Sequence, residues 1–207
     1  MALYHKATIT PSKSEMVTRL VAARQLCPDA EAPIEIIGAY RFDDPEGRVG
    51  MESHLATCGE VLLHVPLTYR DEPLVGAEGA LVGEMEHSAL GTRWVYDGLG
   101  DDRFILMLAA VALTGQGEAL GLVLNDGEWF IAPSNIRIRG GGWTQERVSV
   151  DGFERRSGEG PTVTFQNDRF ELIVHRRPVP GSQPAMGLTA SWDGQPRPIV
   201  LAEVRER

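Results

Sequence analysis

A short helix followed by a series of strand-like segments is the pattern that most restricts the fold of this 207-residue chain. The helix is predicted to begin at the capping box Ser12–Glu15, where the serine hydroxyl and the glutamate carboxylate satisfy backbone N–H groups of the first turn. Apolar residues then recur at helical spacing to about Leu26. Segments 34–42, 49–57 and 60–70 are rich in β-forming residues and end at turn signals, which predicts an antiparallel meander. We therefore expect one helix lying across a curved sheet.

The second half of the chain predicts another helix and then hairpins. Asp101 and Asp102 are expected to cap this helix at its start, because acidic groups are favoured at the positive helix end, and the helix should finish near Thr114. The turn Asn125–Gly127 is a strong hairpin signal. Further strand pairs are expected at 162–166 with 169–175 and at 188–192 with 199–204, whereas 139–160 and 178–187 read as loops. The fold class expected is α+β.

Composition excludes several classes of protein. The formal net charge of −9 argues against a nucleic-acid-binding protein, which needs a basic face. No window approaches the roughly 18 apolar residues of a membrane span, and the start of the chain lacks the pattern of a secretory signal. A cytoplasmic protein without membrane contact is expected. Cys27 and Cys58 lie far apart and form no CxxC motif, which predicts two reduced thiols.

The stretch 85–102, MEHSALGTRWVYDGLGDD, is the densest cluster of chemically active residue types. His87 next to Ser88 invites a hydrolase interpretation, but neighbours in an extended chain point to opposite faces, and no GxSxG motif surrounds the serine. No two of the five histidines stand at metal-ligand spacing, so no metal and no cofactor are predicted. Catalytic residues are not predicted from these motifs.

A sugar-binding surface is one interpretation of this stretch. Aromatic rings flanked by charged groups are typical of carbohydrate sites, and the set that fits this description is His87, Arg93, Trp94, Tyr96 and Asp97. The alternative is that Trp94 and Tyr96 pack in the core with their polar tips satisfied, while Arg93 and Asp97 pair or cap.

Four blocks of the sequence resemble the N-terminal cap domain of actinobacterial maltokinases. They are HKATITPSK at 5–13, GAYRFDDPEGRVGMES at 38–53, VPLTYRDEPL at 65–74 and MEHSALGTRWVYDGLGD at 85–101. The resemblance implies a cystatin-like cap, a sheet wrapped on a helix, over residues 1–115. Residues 116–207 would then be a β-rich subdomain, possessing its own fold or continuing the sheet of the first part.

The resemblance implies a connection to maltose, trehalose and α-glucan metabolism but supplies no catalytic residues. Kinases of this kind carry their phosphotransfer groups in a separate lobe with an HxD motif, and none of the five histidines here is followed by that pattern. The chain is also too short to add that lobe to the cap. We therefore expect a non-catalytic accessory or regulatory protein that contacts a kinase or an α-glucan enzyme.

Two other functions stay open. The first is binding of a sugar or sugar phosphate by the five-residue set. The second is an unrecognised enzyme, whose best candidate groups are His5, Glu52, His87 and Asp97. A homodimer formed by apolar edge strands is compatible with the sequence but is not required by it.

Overall fold

The fold is described from a computed structural model that covers residues 2–3, 7–158 and 160–207. Two α-helices, α1 (Lys13–Ala23) and α2 (Asp102–Thr114), lie among fifteen strands in these residues. The strands are β1 (Ala2–Leu3), β2 (Ile9–Thr10), β3 (Ile34–Phe42), β4 (Gly50–Cys58), β5 (Val61–Arg70), β6 (Leu81–His87), β7 (Gly91–Asp97), β8 (Gly121–Asn125), β9 (Glu128–Ile131), β10 (Arg137–Gly140), β11 (Glu154–Ser157), β12 (Thr162–Gln166), β13 (Phe170–Pro180), β14 (Gly187–Ser191) and β15 (Ile199–Glu206). The α+β description therefore fits only roughly, because strands dominate.

The strands form two six-stranded antiparallel sheets and a small ribbon. The first sheet has the order β2-β6-β7-β5-β4-β3, and the second has the order β10-β14-β15-β13-β12-β11. The ribbon has the order β1-β8-β9, in which β1 runs parallel to β8. Strands β3, β4 and β5 are consecutive neighbours in the first sheet, which agrees with the predicted meander. The next strand beside β5 is β7, and β6 lies beyond it.

Helix α1 lies across one face of the first sheet. Its capping box is formed as predicted, since the Ser12 hydroxyl accepts from the Glu15 N–H and the Glu15 carboxylate accepts from the Ser12 N–H at 2.7 Å. The buried stripe of the helix packs with apolar residues of the central strands in one cluster, which comprises Met16, Val17, Leu20, Val21, Leu26, Cys58, Leu63, Val65, Leu67, Met85 and Val95. The predicted helix-on-sheet arrangement is therefore present.

Helix α2 packs between the opposite face of the first sheet and the second sheet. Phe104 contacts Phe42 of β3, with ring centroids 5.9 Å apart, and the same apolar cluster includes Leu172 of β13 and Leu201 of β15. Gly115 ends the helix in the left-handed conformation with φ +67°. This shared core draws on residues from both sides of position 115, and the division into 1–115 and 116–207 stays a prediction.

Several local expectations are corrected by the structure. Strand β7 was not predicted, because its alternation of Thr, Trp and Tyr with Arg, Val and Asp mixes polar and apolar residues on both faces. Strands β10 and β11 lie inside or beside the segment expected to be a loop, and β13 continues to Pro180. The loosely alternating sequence LYHKATIT at 3–10 also predicts a first strand, of which positions 4–6 lie outside the described residues.

The two cysteines are not free thiols. Cys27, just after helix α1, forms a disulfide with Cys58 at the end of β4, and the two Cα atoms lie 5.9 Å apart. That separation is ordinary for a disulfide. The prediction of reduced thiols was wrong because it weighed only sequence spacing, whereas the packing of α1 on the sheet brings the end of the helix next to the end of the strand.

Candidate functional site

The five residues predicted to bind a ligand lie on strands β6 and β7, but they do not form one site. His87 and Arg93 line a cleft on the α1 side of the first sheet. Tyr96 and Asp97 are buried, and Trp94 is half-buried outside the lining of that cleft. Alternation along β7 separates Arg93 from Trp94 and Tyr96, because neighbouring residues of a strand face opposite sides.

Asp97 is the most completely enclosed of the five residues. Its carboxylate accepts from the Arg24 Nε at 3.1 Å, from the Arg176 Nη2 at 2.6 Å and from the Leu99 N–H at 3.1 Å. Arg24 lies at the end of α1, and Arg176 lies on β13 of the second sheet. Asp97 therefore joins a helix, the end of its own strand and the second sheet. Asp97 caps the short helical turn Gly98–Gly100, and a capping role was one interpretation of the sequence. Its ionic partners, however, are Arg24 and Arg176 rather than Arg93.

Tyr96 is also a buried residue whose polar group is satisfied within the fold. Its ring is 2% exposed, and its hydroxyl accepts a hydrogen bond from the Leu74 N–H at 2.8 Å. A buried tyrosine with its hydroxyl satisfied by the backbone supports the core-packing interpretation of this ring.

Asp101 holds the start of helix α2. Its carboxylate accepts from the Arg103 N–H at 3.0 Å, from the Thr68 hydroxyl at 2.8 Å and from both the Nε and the Nη2 of Arg70. The predicted capping role is confirmed for Asp101, whereas Asp102 is an exposed residue in the first turn. The two-pronged contact with Arg70 adds a charge-assisted pair that ties the helix start to β5.

His87 and Ser88 do not act on each other. The His87 Nδ1 accepts from the N–H groups of Ala89 and Leu90, each at 3.2 Å, and so fixes the turn after β6. The Ser88 hydroxyl accepts from the Thr8 N–H at 2.9 Å. Both groups are occupied by backbone, which agrees with the argument against a serine hydrolase.

The cleft beside helix α1 has a volume of about 710 Å³. It lies on the part of the α1 face of the first sheet that the helix leaves uncovered, since Met85 and Tyr69 line the cleft and also border the core cluster under the helix. Its lining residues come from β2 to β7, from the start of α1 and from the loop after β3: Ile9, Lys13, Arg41, Phe42, Asp43, Asp44, Pro45, Glu46, Gly47, Arg48, Val49, Gly50, Glu52, Tyr69, Asp71, Met85, His87, Leu90 and Arg93.

Glu52 is the buried carboxylate of this cleft and is 6% exposed. The Lys13 Nζ lies 2.6 Å from its Oε2, the His54 Nε2 lies 3.6 Å away, and the Tyr69 hydroxyl donates to it at 3.4 Å. Burial alone would raise the pKa of Glu52, but the adjacent His54 ring and the Lys13 ammonium outweigh burial and hold that pKa well below its usual range. Burial and the Glu52 charge raise the pKa of Tyr69 far above its usual value. Glu52 is therefore a fixed anion rather than a proton donor at neutral pH.

Sequence reasoning missed Lys13 and Tyr69 as cleft residues and named Glu52 only as a candidate catalytic group. The signal was present, because alternation places positions 41, 52, 69 and 93 on one face of four strands. Finding this face from the sequence requires the order of the strands as well as their alternation, and that order was not available because β7 had not been predicted.

The residues proposed for an unrecognised enzyme are dispersed. Glu52 and His87 line the cleft, Asp97 is enclosed elsewhere by Arg24 and Arg176, and His5 lies outside the described residues. In the part of the chain that the structure describes, no group of three or more His, Cys, Asp or Glu side chains is arranged to hold a metal ion. Neither described helix is long and apolar enough to cross a membrane.

A second buried polar pair lies between the sheets, away from the cleft. The Tyr40 hydroxyl and the His64 Nε2 are 2.8 Å apart, and His64 is fully buried. Burial lowers the pKa of His64 to about 3, so the imidazole stays neutral at physiological pH. This pair is part of the core rather than of a solvent-reached site.

Comparison with known proteins agrees with three of the four quoted sequence blocks, those at 38–53, 65–74 and 85–101, whereas the block at 5–13 lies outside the matched range. The family model of the maltokinase N-terminal cap domain matches residues 23–101, which include helix α1 from its last residue, strands β3 to β7 and both Asp97 and Asp101. No curated protein matches the chain. The resemblance predicted from the sequence is therefore confirmed over residues 23–101, which are similar to the maltokinase N-terminal cap domain.

Proposed function

We propose that this protein is a non-catalytic accessory module of maltose, trehalose or α-glucan metabolism that acts by contact with a kinase or an α-glucan enzyme. The observation that carries the proposal is the cap match over residues 23–101. The name of that family links the segment to a maltose-phosphorylating enzyme, and the cap is the part of such an enzyme that does not perform the phosphotransfer.

The use of the acidic side chains in the matched segment supports a structural role for it. Asp97 and Asp101 are the two buried aspartates of the stretch 85–102. Each accepts hydrogen bonds from arginine and backbone donors and so links helices and strands of the fold. A carboxylate whose lone pairs are committed in this way is poorly placed to orient a substrate hydroxyl or a metal ion.

An exposed apolar hairpin offers a surface for the partner. Strands β8 and β9 and the residue before β8 carry several large apolar side chains that are about half exposed or more: Leu120, Leu124, Trp129, Phe130 and Ile131. Strand β9 is the edge of its ribbon, and three of these residues follow one another along it. Exposed aromatic residues grouped in this way are typical of protein–protein contacts rather than of a solvated surface. We assign this hairpin to the contact with the kinase or glucan enzyme.

The predicted cytoplasmic location belongs to this proposal and stays a prediction. The Cys27–Cys58 disulfide weighs against it, because cytosolic thiols are normally kept reduced. Counting the free thiols of the protein taken from its native cells tests whether the disulfide is present there, and with it the predicted cytoplasmic location.

The test is capture of the partner with a tagged protein from an actinobacterial lysate, followed by mass spectrometry. The informative variant replaces the three exposed apolar residues of β9 with serine (W129S/F130S/I131S), and the matched control is Trp143→Ser, which removes an aromatic residue that is 85% exposed elsewhere. Recovery of a maltose-phosphorylating kinase or an α-glucan enzyme by the wild type and the control, but not by the triple variant, supports the proposal. Recovery of no such enzyme by the wild type contradicts it.

A further inference from the structure

The cleft on the α1 side of the first sheet has the form of a binding site. Helix α1 covers only part of this face, and the remaining part is closed at one side by Lys13 in the first turn of the helix and at another by the loop of residues 43–49. Its volume of about 710 Å³ lies within the range of small-molecule pockets in proteins. The strands of the first sheet supply much of the remaining lining.

The polar groups of the cleft are held in place before any ligand arrives. Glu52 is fixed by Lys13 at 2.6 Å and by the Tyr69 hydroxyl at 3.4 Å. Lys13 also lies 5.9 Å from the centroid of the Tyr69 ring. Donors and acceptors that are already positioned lose little conformational entropy on binding, which favours recognition of a polar ligand.

Arg93 differs from most of the charged residues around it. In the described part of the chain its guanidinium takes part in no hydrogen bond and no ion pair, although it is only partly exposed and lines the cleft. Its five N–H donors are therefore available to a ligand in the cleft that Glu52 and Lys13 also line. Asp71 at the rim likewise has no internal partner among these residues and offers acceptors.

The overall charge of the cleft decides between classes of ligand. Among the described residues, the lining contains five acidic ones (Asp43, Asp44, Glu46, Glu52 and Asp71) and four basic ones (Lys13, Arg41, Arg48 and Arg93). A phosphate site would concentrate positive charge, whereas these residues include both donors and acceptors and their charges nearly balance. Such a lining matches the hydroxyl groups of a neutral carbohydrate, which donate and accept in turn.

We propose that this cleft binds a neutral oligosaccharide of about disaccharide size, with Arg93, Lys13, Glu52 and Asp71 supplying the hydrogen bonds. Binding of a sugar or sugar phosphate was an alternative function for the sequence, and the cleft gives it a location and favours the uncharged form. The site does not require the partner contact assigned to the β8–β9 hairpin, because none of the exposed hairpin residues lines the cleft.

Calorimetric titration of the full chain with maltose, glucose 1-phosphate and inorganic phosphate tests the site. Maltose is expected to bind with a Kd of about 1 mM or tighter, and the two phosphates more weakly than maltose. Arg93→Ala should raise the maltose Kd by about tenfold or more, because it removes a charged donor to the ligand. Arg139→Ala, which removes an exposed arginine from β10 on the second sheet, should leave the Kd unchanged.

A folding defect is separable from a binding defect in this design. The Arg93 side chain makes no internal polar contact among the described residues, so thermal melting of Arg93→Ala is expected to match that of the wild type. Tighter binding of either phosphate than of maltose overturns the proposed ligand class. Absence of maltose binding to the wild type, or an unchanged Kd in a folded Arg93→Ala, overturns the site. Both of these results leave partner capture by the hairpin unaffected, so the two proposals fail independently.

Discussion

Arg176 of the second sheet donates to the Asp97 carboxylate of the first sheet across 2.6 Å, and both side chains are 1% exposed. The pair spans 79 positions of sequence and joins strand β13 to the end of β7. Arg24 contacts the same carboxylate from the end of helix α1. Because isolated charges are costly in a protein interior, each member of this cluster depends on the others.

Replacing Asp97 with asparagine is expected to destabilise the whole chain. Asp97→Asn leaves two arginines facing a neutral amide, and the buried Arg176 then lacks its counter-charge. The free energy of unfolding should fall by about 3–5 kcal/mol. Urea denaturation followed by circular dichroism measures this change.

The control for this prediction is Asp168→Asn, because Asp168 is an exposed residue in the turn between β12 and β13. Its effect should stay within about 0.5 kcal/mol. The double variant Asp97→Asn with Arg176→Gln should cost less than the sum of the two single variants, because the second change removes the charge that the first leaves uncompensated. Additive costs would show that the two side chains do not act as a pair.

The Cys27–Cys58 disulfide predicts a definite thiol count. Unfolded, unreduced protein kept in air should show no reactive thiol with a chromogenic disulfide reagent, and two after reduction. Reduction opens a loop with a sequence separation of 31 residues. For a loop of that length the free energy of unfolding should fall by about 3–4 kcal/mol. Two free thiols in the unreduced protein would return the cysteines to the state predicted from the sequence.

His64 predicts a loss of stability on the acid side of neutrality. Its folded pKa of about 3 lies below the ordinary histidine pKa of 6.5, so below pH 6.5 the unfolded chain binds a proton that the folded chain does not. The contribution is fully present above pH 6.5 and declines as the pH falls toward 3, with a slope of about 1.4 kcal/mol per pH unit.

His64→Gln separates this effect from packing. The variant keeps a polar partner for the Tyr40 hydroxyl, and any packing cost is measured at pH 7.5, where the histidine does not contribute to the slope. Between pH 6.5 and 4.5 the stability of the wild type should fall more steeply than that of the variant. Glu52 adds an acid-side loss in both proteins, because its folded pKa is depressed, but only below its usual range near 4.5. Parallel pH profiles for the two proteins would be inconsistent with a buried neutral imidazole.

Replacing Gly115 with alanine is expected to lower the stability of the fold through contacts with its surroundings as well as through its backbone angle. Gly115→Ala places a side chain at φ +67°, 3.2 Å from the Gly142 carbonyl oxygen, at the end of helix α2. The expected cost is about 1 kcal/mol or more. Gly47 has φ +71° with no atom within 4 Å of an added Cβ, so Gly47→Ala gives the cost of the angle alone. Thermal unfolding should rank Gly115→Ala as the more damaging; the reverse order would argue against the close approach of residues 115 and 142.

Local signals predicted much of the fold. The capping box at Ser12–Glu15, the acidic cap at Asp101 and the hairpin turn at Asn125–Gly127 each act through neighbours in sequence, and each is found where it was expected. In the turn, Asp126 and Gly127 both have positive φ, as the tightest hairpin connection requires.

Long-range relationships were not predictable in the same way. Asp97 meets Arg176, and Cys27 meets Cys58, only because two sheets and a helix pack together. The candidate site shows the same contrast between local and long-range prediction. His87 and Arg93 were predicted from their residue types, whereas Lys13 and Tyr69 line the cleft with them only because of the order of the strands in the whole sheet.

Partner capture tests the central claim most directly. A tagged wild-type protein in an actinobacterial lysate is predicted to retain a maltose-phosphorylating kinase or an α-glucan enzyme in stoichiometric amount, and W129S/F130S/I131S is predicted to lose it while Trp143→Ser keeps it. Equal retention by the triple variant would show that the hairpin is not the contact surface. A wild-type protein that retains no such enzyme would contradict the accessory role itself.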